Sequence, residues 1–233
     1  MSGPVFELLE VSKDYRGLRP LRIARLQVGR GESLALVGLD ETAAEVFVNL
    51  VTGATLPDRG TINLFERPTS SINDSAEWLA VVDRFGIVSR RAVLLDGLSV
   101  LQNLAMPFTL EIEPPPADIA DRATAIAGEV GLNDQMLSRR VAEIDEAARA
   151  RVRLGRALAL DPAIVLLEHP TADMSRAQAE PFARAVRAAA SRRGAAVLAL
   201  TADREFARAV ADRVLTIDAA TGELIEKSKW WRN

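Results

Sequence analysis

A chain of 233 residues, 48% of them apolar, can build one α/β domain or two small ones around a sizeable core. A net charge of −3 with acids and bases interspersed leaves no electrostatic footprint for nucleic acid. Zero cysteines exclude a disulfide scaffold and a thiolate zinc site, and a single histidine excludes a His-rich metal centre. No apolar run reaches the roughly 18–20 residues of a membrane span. The first ten residues lack a basic segment followed by an apolar one, so a cytoplasmic protein without a leader is expected.

In chain order, the first segment reads as antiparallel β structure, with strands expected over 6–11, 21–28 and 33–37. Turns are expected at Gly17 and at Gly29, Arg30 and Gly31. A helix over 45–51 is closed by Gly53, and Asp58, Arg59 and Gly60 turn into a strand over 61–65. Beyond Arg90 the pattern becomes helix-rich. Pro114, Pro115 and Pro116 interrupt it, 117–130 is amphipathic with Gly131 just past its end, and 145–160 is helical up to Asp161 and Pro162. The runs 164–167 and 196–200 are short and apolar, as buried parallel strands are, and an Ala/Arg helix over 176–193 lies between them. Strands alternating with helices predict a mostly parallel α/β sheet.

The stretch 34–45 carries the most information. An apolar strand runs into Gly38 and then into a helical pattern, the setting of the phosphate-binding loop G-x-x-x-x-G-K-[ST]. In that register Gly38 is the first glycine, Ala43 stands at the second, Ala44 at the lysine and Glu45 at the magnesium-holding hydroxyl. Asp40 and Glu41 add two more carboxylates. Such loops hold phosphate with glycine-borne amides, a lysine and Mg²⁺. A carboxylate about 5 Å from a phosphate, at an effective dielectric near 20, repels it by roughly 3 kcal/mol. Thr42 and Glu45 fit the capping-box spacing, so Thr42 is expected to cap a helix starting near Ala43 and to satisfy the loop's own donors. Capping is favoured over a cation site built from Asp40, Glu41 and Glu45.

Further segments follow in a fixed order: Leu9 to Tyr15, then Asp58-Arg59-Gly60-Thr61-Ile62, then Leu98-Ser99-Val100-Leu101-Gln102-Asn103-Leu104. Gly155-Arg156-Ala157-Leu158-Ala159-Leu160-Asp161-Pro162 and Val165-Leu166-Leu167-Glu168-His169-Pro170 complete the set. Together these resemble the nucleotide-binding subunit of an ATP-binding cassette (ABC) transporter over essentially the whole chain. The resemblance implies an α/β, ABC-type P-loop NTPase fold, a RecA-like core with an antiparallel β subdomain and a helical subdomain. It implies a core of about 1–88 and 156–233, with the helical part at about 89–155. It also implies ATP and Mg as the family's cofactors, a membrane permease subunit as partner, and a place on the inner face of the cell membrane.

The departures are equally ordered. The signature L-S-G-G-Q becomes Ile144-Asp145-Glu146-Ala147-Ala148, so Asp145 and Glu146 would present carboxylates to a nucleotide on an opposing subunit. The Walker B aspartate becomes Glu168 and the catalytic glutamate His169. Arg90 stands at the Q-loop glutamine, Ser175 at the aspartate after Walker B, and Ala202 at the switch histidine. Tyr15 falls where the family stacks an aromatic ring on adenine, although a ring covering the β structure is the favoured reading. His169 is expected to be simply hydrogen-bonded. Trp230 and Trp231 could touch a membrane or partner, or form a packed terminus. The expectation is therefore a cassette with no catalytic residue, no cofactor and no metal, docking on a permease as a homodimer or beside an active cassette. The stretch 98–107 and Arg90 would flank the groove. The alternatives are a soluble scaffold or regulator with the same fold, and a cassette retaining weak, unconventional nucleotide binding.

Overall fold

The structure, a computed structural model, describes residues 3–226. Alternating apolar positions set the opening hairpin: β1 (Phe6–Lys13) pairs antiparallel with β2 (Leu21–Val28), with Phe6 opposite Val28 and Lys13 opposite Leu21. β3 (Ser33–Val37) is buried along its whole length and leads into α1 (Glu41–Val51). β4 (Arg59–Leu64) and the two-residue β5 (Arg67–Pro68) complete a four-stranded sheet in the order β2-β1-β4-β5. The β1–β4 register shifts between Leu9 and Ser12. Gly60 faces that irregularity with φ 84°, and a Cβ there would lie 2.4 Å from the Leu9 carbonyl oxygen, so no other residue fits.

The chain then forms α2 (Ser75–Val82) and β6 (Phe85–Ser89), followed by four helices: α3 (Val100–Ala105), α4 (Ala117–Glu129), α5 (Asp134–Leu137) and α6 (Glu146–Leu158). It returns through β7 (Ile164–Glu168), α7 (Arg176–Arg193), β8 (Ala196–Leu200), α8 (Arg204–Val210), β9 (Arg213–Ile217) and β10 (Leu224–Glu226). The second sheet runs β10-β9-β3-β8-β7-β6, parallel throughout except for the β9–β10 pair. The mostly parallel sheet read from the alternation is therefore present, with β3 and β7 on either side of β8.

Strand alternation divides the core into two layers. Ala35, Val37, Val165, Leu167, Val197 and Ala199 turn to one face, against α6, α7 and α8. Leu34, Leu36, Ile164, Leu166, Leu198 and Leu200 turn to the other, against α1 and the antiparallel sheet. The elements 33–37, 176–193 and 196–200 lie where periodicity places them. Others, among them α2, β6, α8, β9 and β10, are absent from the sequence reading. Each is short, and β6 (Phe-Gly-Ile-Val-Ser) carries a glycine that weakens the strand signal. Trp230 and Trp231 lie outside the described residues.

Candidate functional site at the strand ends

The carboxyl ends of β3, β6, β7 and β8 bring most of the singled-out residues together, as open parallel sheets do. Gly38 ends β3 with φ 109°, and a Cβ there would meet Ile217 at 3.0 Å. Only Gly38, Leu39 and Asp40 separate the strand from the first turn of α1. This corrects the expected helix start near Ala43. Asp40, not Thr42, is the cap: its carboxylate accepts the Ala43 N–H at 2.7 Å, and its carbonyl accepts the Ala44 N–H at 2.9 Å. The helix starts early because an Asp with extended backbone precedes it, and Glu41 sits in the first turn where a carboxylate suits the helix dipole. Ala43 and Ala44 are consequently buried inside the helix, and Glu45 sits one turn in from Glu41.

Two consecutive arginines then take up the carboxylates. Strand register places Ser89 opposite Glu168. The Arg91 N–H donates to Ser89 Oγ at 3.1 Å, which turns the chain back over that pair. The Arg91 guanidinium donates to Glu168 Oε2 at 2.6 Å and to Glu45 Oε1 at 2.9 Å. Arg90 Nη1 donates to both oxygens of Asp173 at 3.0 Å, and its other terminal nitrogen lies 3.7 Å from Glu41. Glu41 and Glu45, four apart on one helix face, thus meet successive arginines. Burial works against the Arg91 charge, but the hydrogen bond and charge of Glu168, and then Glu45, outweigh it and raise its pKa.

The remaining positions are drawn into the fold. Asp145 caps α6 by accepting the Ala148 N–H at 2.8 Å and takes a Gln178 amide at 3.1 Å, while Glu146 lies 3.7 Å from Arg149. Ser175 is the N-cap residue of α7. Ala202 is exposed, and its neighbour Asp203 caps α8. Tyr15 is half-buried against the core that contains the antiparallel sheet, as a covering aromatic would be, and burial followed by the charge of Asp40 raises its phenol pKa. His169 departs from expectation. Its backbone φ is 42°, its N–H donates to Leu200 O at 2.9 Å, and its Nε2 is buried with no hydrogen-bond partner. Among the described residues no group of three or more His, Cys, Asp or Glu could hold a metal.

Sequence reasoning missed Arg91 and a row of arginines on α6. Arg149, Arg153 and Arg156 share a helix face and hold the segment after β6. Arg153 Nε reaches Ala92 O at 3.4 Å, Arg156 Nη1 reaches Val93 O at 2.7 Å, and Arg149 pairs with Asp96. Their spacing of four and three residues was the available signal. For Arg91 the signal was a pair of basic residues facing four carboxylates distant in sequence, which no local pattern joins. Part of the stretch expected to flank the groove lies in the core. Val100, Leu104 and Ala105 are buried in the core shared with α4 and α6, and Arg90 is committed to Asp173.

The ABC transporter family model matches residues 21–172. The chain belongs to the ABC transporter family. The lipoprotein-releasing system ATP-binding protein LolD of Saccharophagus degradans is 32% identical over 184 residues, covering 77% of this chain and 80% of that protein. The methionine import ATP-binding protein MetN of Brucella abortus is 26% identical over 231 residues, covering 99% of this chain. The chain spans 61% of the length of the MetN relatives it matches. Among solved structures, cbiO1 from Clostridium perfringens aligns with TM-score 0.80 at 18% identity, over 96% of this chain and 87% of that one. The cassette MJ0796 bound to ADP and Pi aligns with TM-score 0.74 at 20% identity, over 95% and 97%. These likenesses place the fold as an ABC cassette.

The expectation of no cofactor is overturned by this membership: LolD and MetN are named ATP-binding proteins, and a structural neighbour holds ADP and Pi. The side chains of this ABC cassette nevertheless do not fit a magnesium–phosphate group in the arrangement they adopt. Asp40 takes the Ala43 amide, the lysine position is the buried Ala44, and Arg91 lies between Glu45 and Glu168.

Proposed function

We propose that this chain is the cassette subunit of a membrane transporter, docking on a permease subunit at the cytoplasmic face without turning over ATP. Nucleotide binding of the kind named for LolD and MetN carries over to this proposal with Asp40 and Arg91 displaced from the partners they hold in this structure, and hydrolysis does not. The observation supporting this is the three-residue connection from β3 to α1, in which an aspartate cap stands where an open loop of amides would be needed. His169 follows Glu168 with a strained backbone and a buried nitrogen, and the lysine position of the phosphate loop is the buried Ala44. Residues of about 89–155 would form the helical part carrying the docking surface, on a core of about 1–88 and 156–233. A second copy or an active cassette would complete the dimer. Phosphate release by the purified chain, alone and with its co-purified membrane partner, tests the proposal. Turnover that survives removal of any active cassette would overturn it.

A further inference from the structure

We propose that the far end of the parallel sheet, away from the candidate site, binds an oxyanion of the phosphate class between Arg30 and Arg84. The β2–β3 turn brings Arg30, and the turn before β6 brings Arg84, to one cavity of about 350 Å³ at the amino ends of the strands. Leu160 and Pro162, between α6 and β7, and Arg193 at the end of α7 form its other walls. Among the described residues, neither Arg30 nor Arg84 has an ion pair or a side-chain hydrogen bond. Two carboxylates line the same cavity. Arg193 holds Asp161 at 3.1 Å, and Asp83 is exposed and bonds to neither arginine.

Two unneutralised guanidiniums on one cavity repel each other, and arginine cannot relieve this by losing its proton. Burial first, and then the charge of Arg30, hold the Arg84 guanidinium below its ordinary range. The charge that Arg84 faces is therefore another cation. Arg84 is nevertheless fixed in place. Its guanidinium lies 3.3 Å over the Phe65 ring, which rests edge-on against buried Phe85 with centroids 5.6 Å apart. Stacking occupies the guanidinium face and leaves the N–H groups on its edge without acceptors. An anion between the two arginines would accept those donors and cancel the repulsion. A donor fork already held in place loses little freedom on binding. Two positive charges favour a dianion such as a phosphate group over a monocarboxylate. The cavity has the volume of a small-molecule site, and Leu160, 54% exposed, offers apolar surface to whatever carries the phosphate. The source is therefore free phosphate or the phosphate group of a small phosphomonoester. This inference goes beyond permease docking and stands whether or not a permease or a nucleotide binds elsewhere.

Calorimetric titration of the full chain with inorganic phosphate, and separately with glycerol 3-phosphate, tests this in the absence of magnesium and nucleotide. Wild type should bind at least one of the two probes, and the tighter one identifies the source. Arg30→Gln/Arg84→Gln should weaken that binding at least tenfold, whereas Arg91→Gln, at the other end of the sheet, should bind as wild type does. Failure of wild type to bind either probe overturns the inference. So does binding that survives the double variant, or that is lost in Arg91→Gln instead. If the double variant does not fold, because Arg84 covers Phe65, Arg30→Glu carries the comparison. Arg30 is exposed, and its replacement sets a carboxylate where the anion would sit. A loss of at least tenfold in Arg30→Glu supports the inference, and any smaller loss overturns it.

Discussion

Arg193, at the end of α7, lies across the Glu129 carboxylate at the end of α4, donating at 2.8 and 2.7 Å. The same guanidinium reaches Leu158 O at 2.9 Å and Asp161 at 3.1 Å, so one side chain joins three segments. The hydrogen bond from Arg193, more than its charge, holds the Glu129 carboxyl below its ordinary range. A depressed folded-state pKa adds stability that is complete above the unfolded value of about 4.3 and is lost as pH falls through the folded value. Glu129→Gln should therefore cost about 1–2 kcal/mol at neutral pH. Urea unfolding of the two proteins from pH 7 downward should show the difference shrinking below about pH 4.

The cap at Asp40 gives a sharper local expectation. Asp40→Ala removes the acceptor of the Ala43 N–H and should cost about 1 kcal/mol. Thr42 is exposed and makes no capping bond, so Thr42→Ala should stay within about 0.5 kcal/mol of wild type. Chemical denaturation of both variants checks the pair, and a larger loss in Thr42→Ala would reverse the assignment.

The contrast between Asp40 and Thr42 shows where the sequence was legible. Strand 196–200 and helix 176–193 follow from periodicity, because one buried face leaves a repeating apolar pattern. The cap was misplaced because two capping residues sit two apart, and the choice depends on where the strand releases the chain. Resemblance drew Glu45, Glu168, His169 and Arg90 to one end of the sheet. The partners of those side chains were not legible. Arg91 meets Glu168 from 77 residues away in sequence through the β6–β7 register, and β6 was itself unread. Ion pairs between distant segments leave no periodic trace.

β6 also supplies a packing test. A Cβ on Gly86 would lie 2.4 Å from the Ala157 carbonyl oxygen on the α6 side, which is backbone and cannot rotate away. Gly86→Ala should push α6 from the sheet and cost about 1–3 kcal/mol. Because that shift would move the arginine row on α6 with it, loosening of the segment 92–96 should be visible as faster amide hydrogen exchange there.

Restoring a lysine should not restore chemistry. Ala44 is fully buried within α1 and packs in the core on that side of the sheet. Ala44→Lys would put an unpaired ammonium into apolar surroundings and overfill the site, costing about 3 kcal/mol or more. The expected result is a lower unfolding midpoint with no phosphate release. A stable Ala44→Lys protein that hydrolyses ATP would show that the loop can rearrange into a phosphate cradle.

Docking on a permease is expected to use the segment 92–96. Its backbone is pinned from both sides: α6 arginines hold the carbonyls of Ala92 and Val93, and Asn103 exchanges hydrogen bonds with both the N–H and the C=O of Leu95. Leu94 anchors the segment in the core, while Val93 and Leu95 point outward, 69% and 40% exposed. A rigid strap bearing exposed apolar side chains between polar neighbours is the kind of surface against which a partner helix packs. Val93→Asp/Leu95→Asp should leave stability within about 0.5 kcal/mol of wild type, because neither side chain supports the fold. The same double variant should abolish co-purification with the membrane subunit. Arg90 is the wrong residue for this test, since Arg90→Glu would set a third carboxylate beside Asp173 and Glu41. If the double variant stays bound to membranes as wild type does, the strap is not the docking surface.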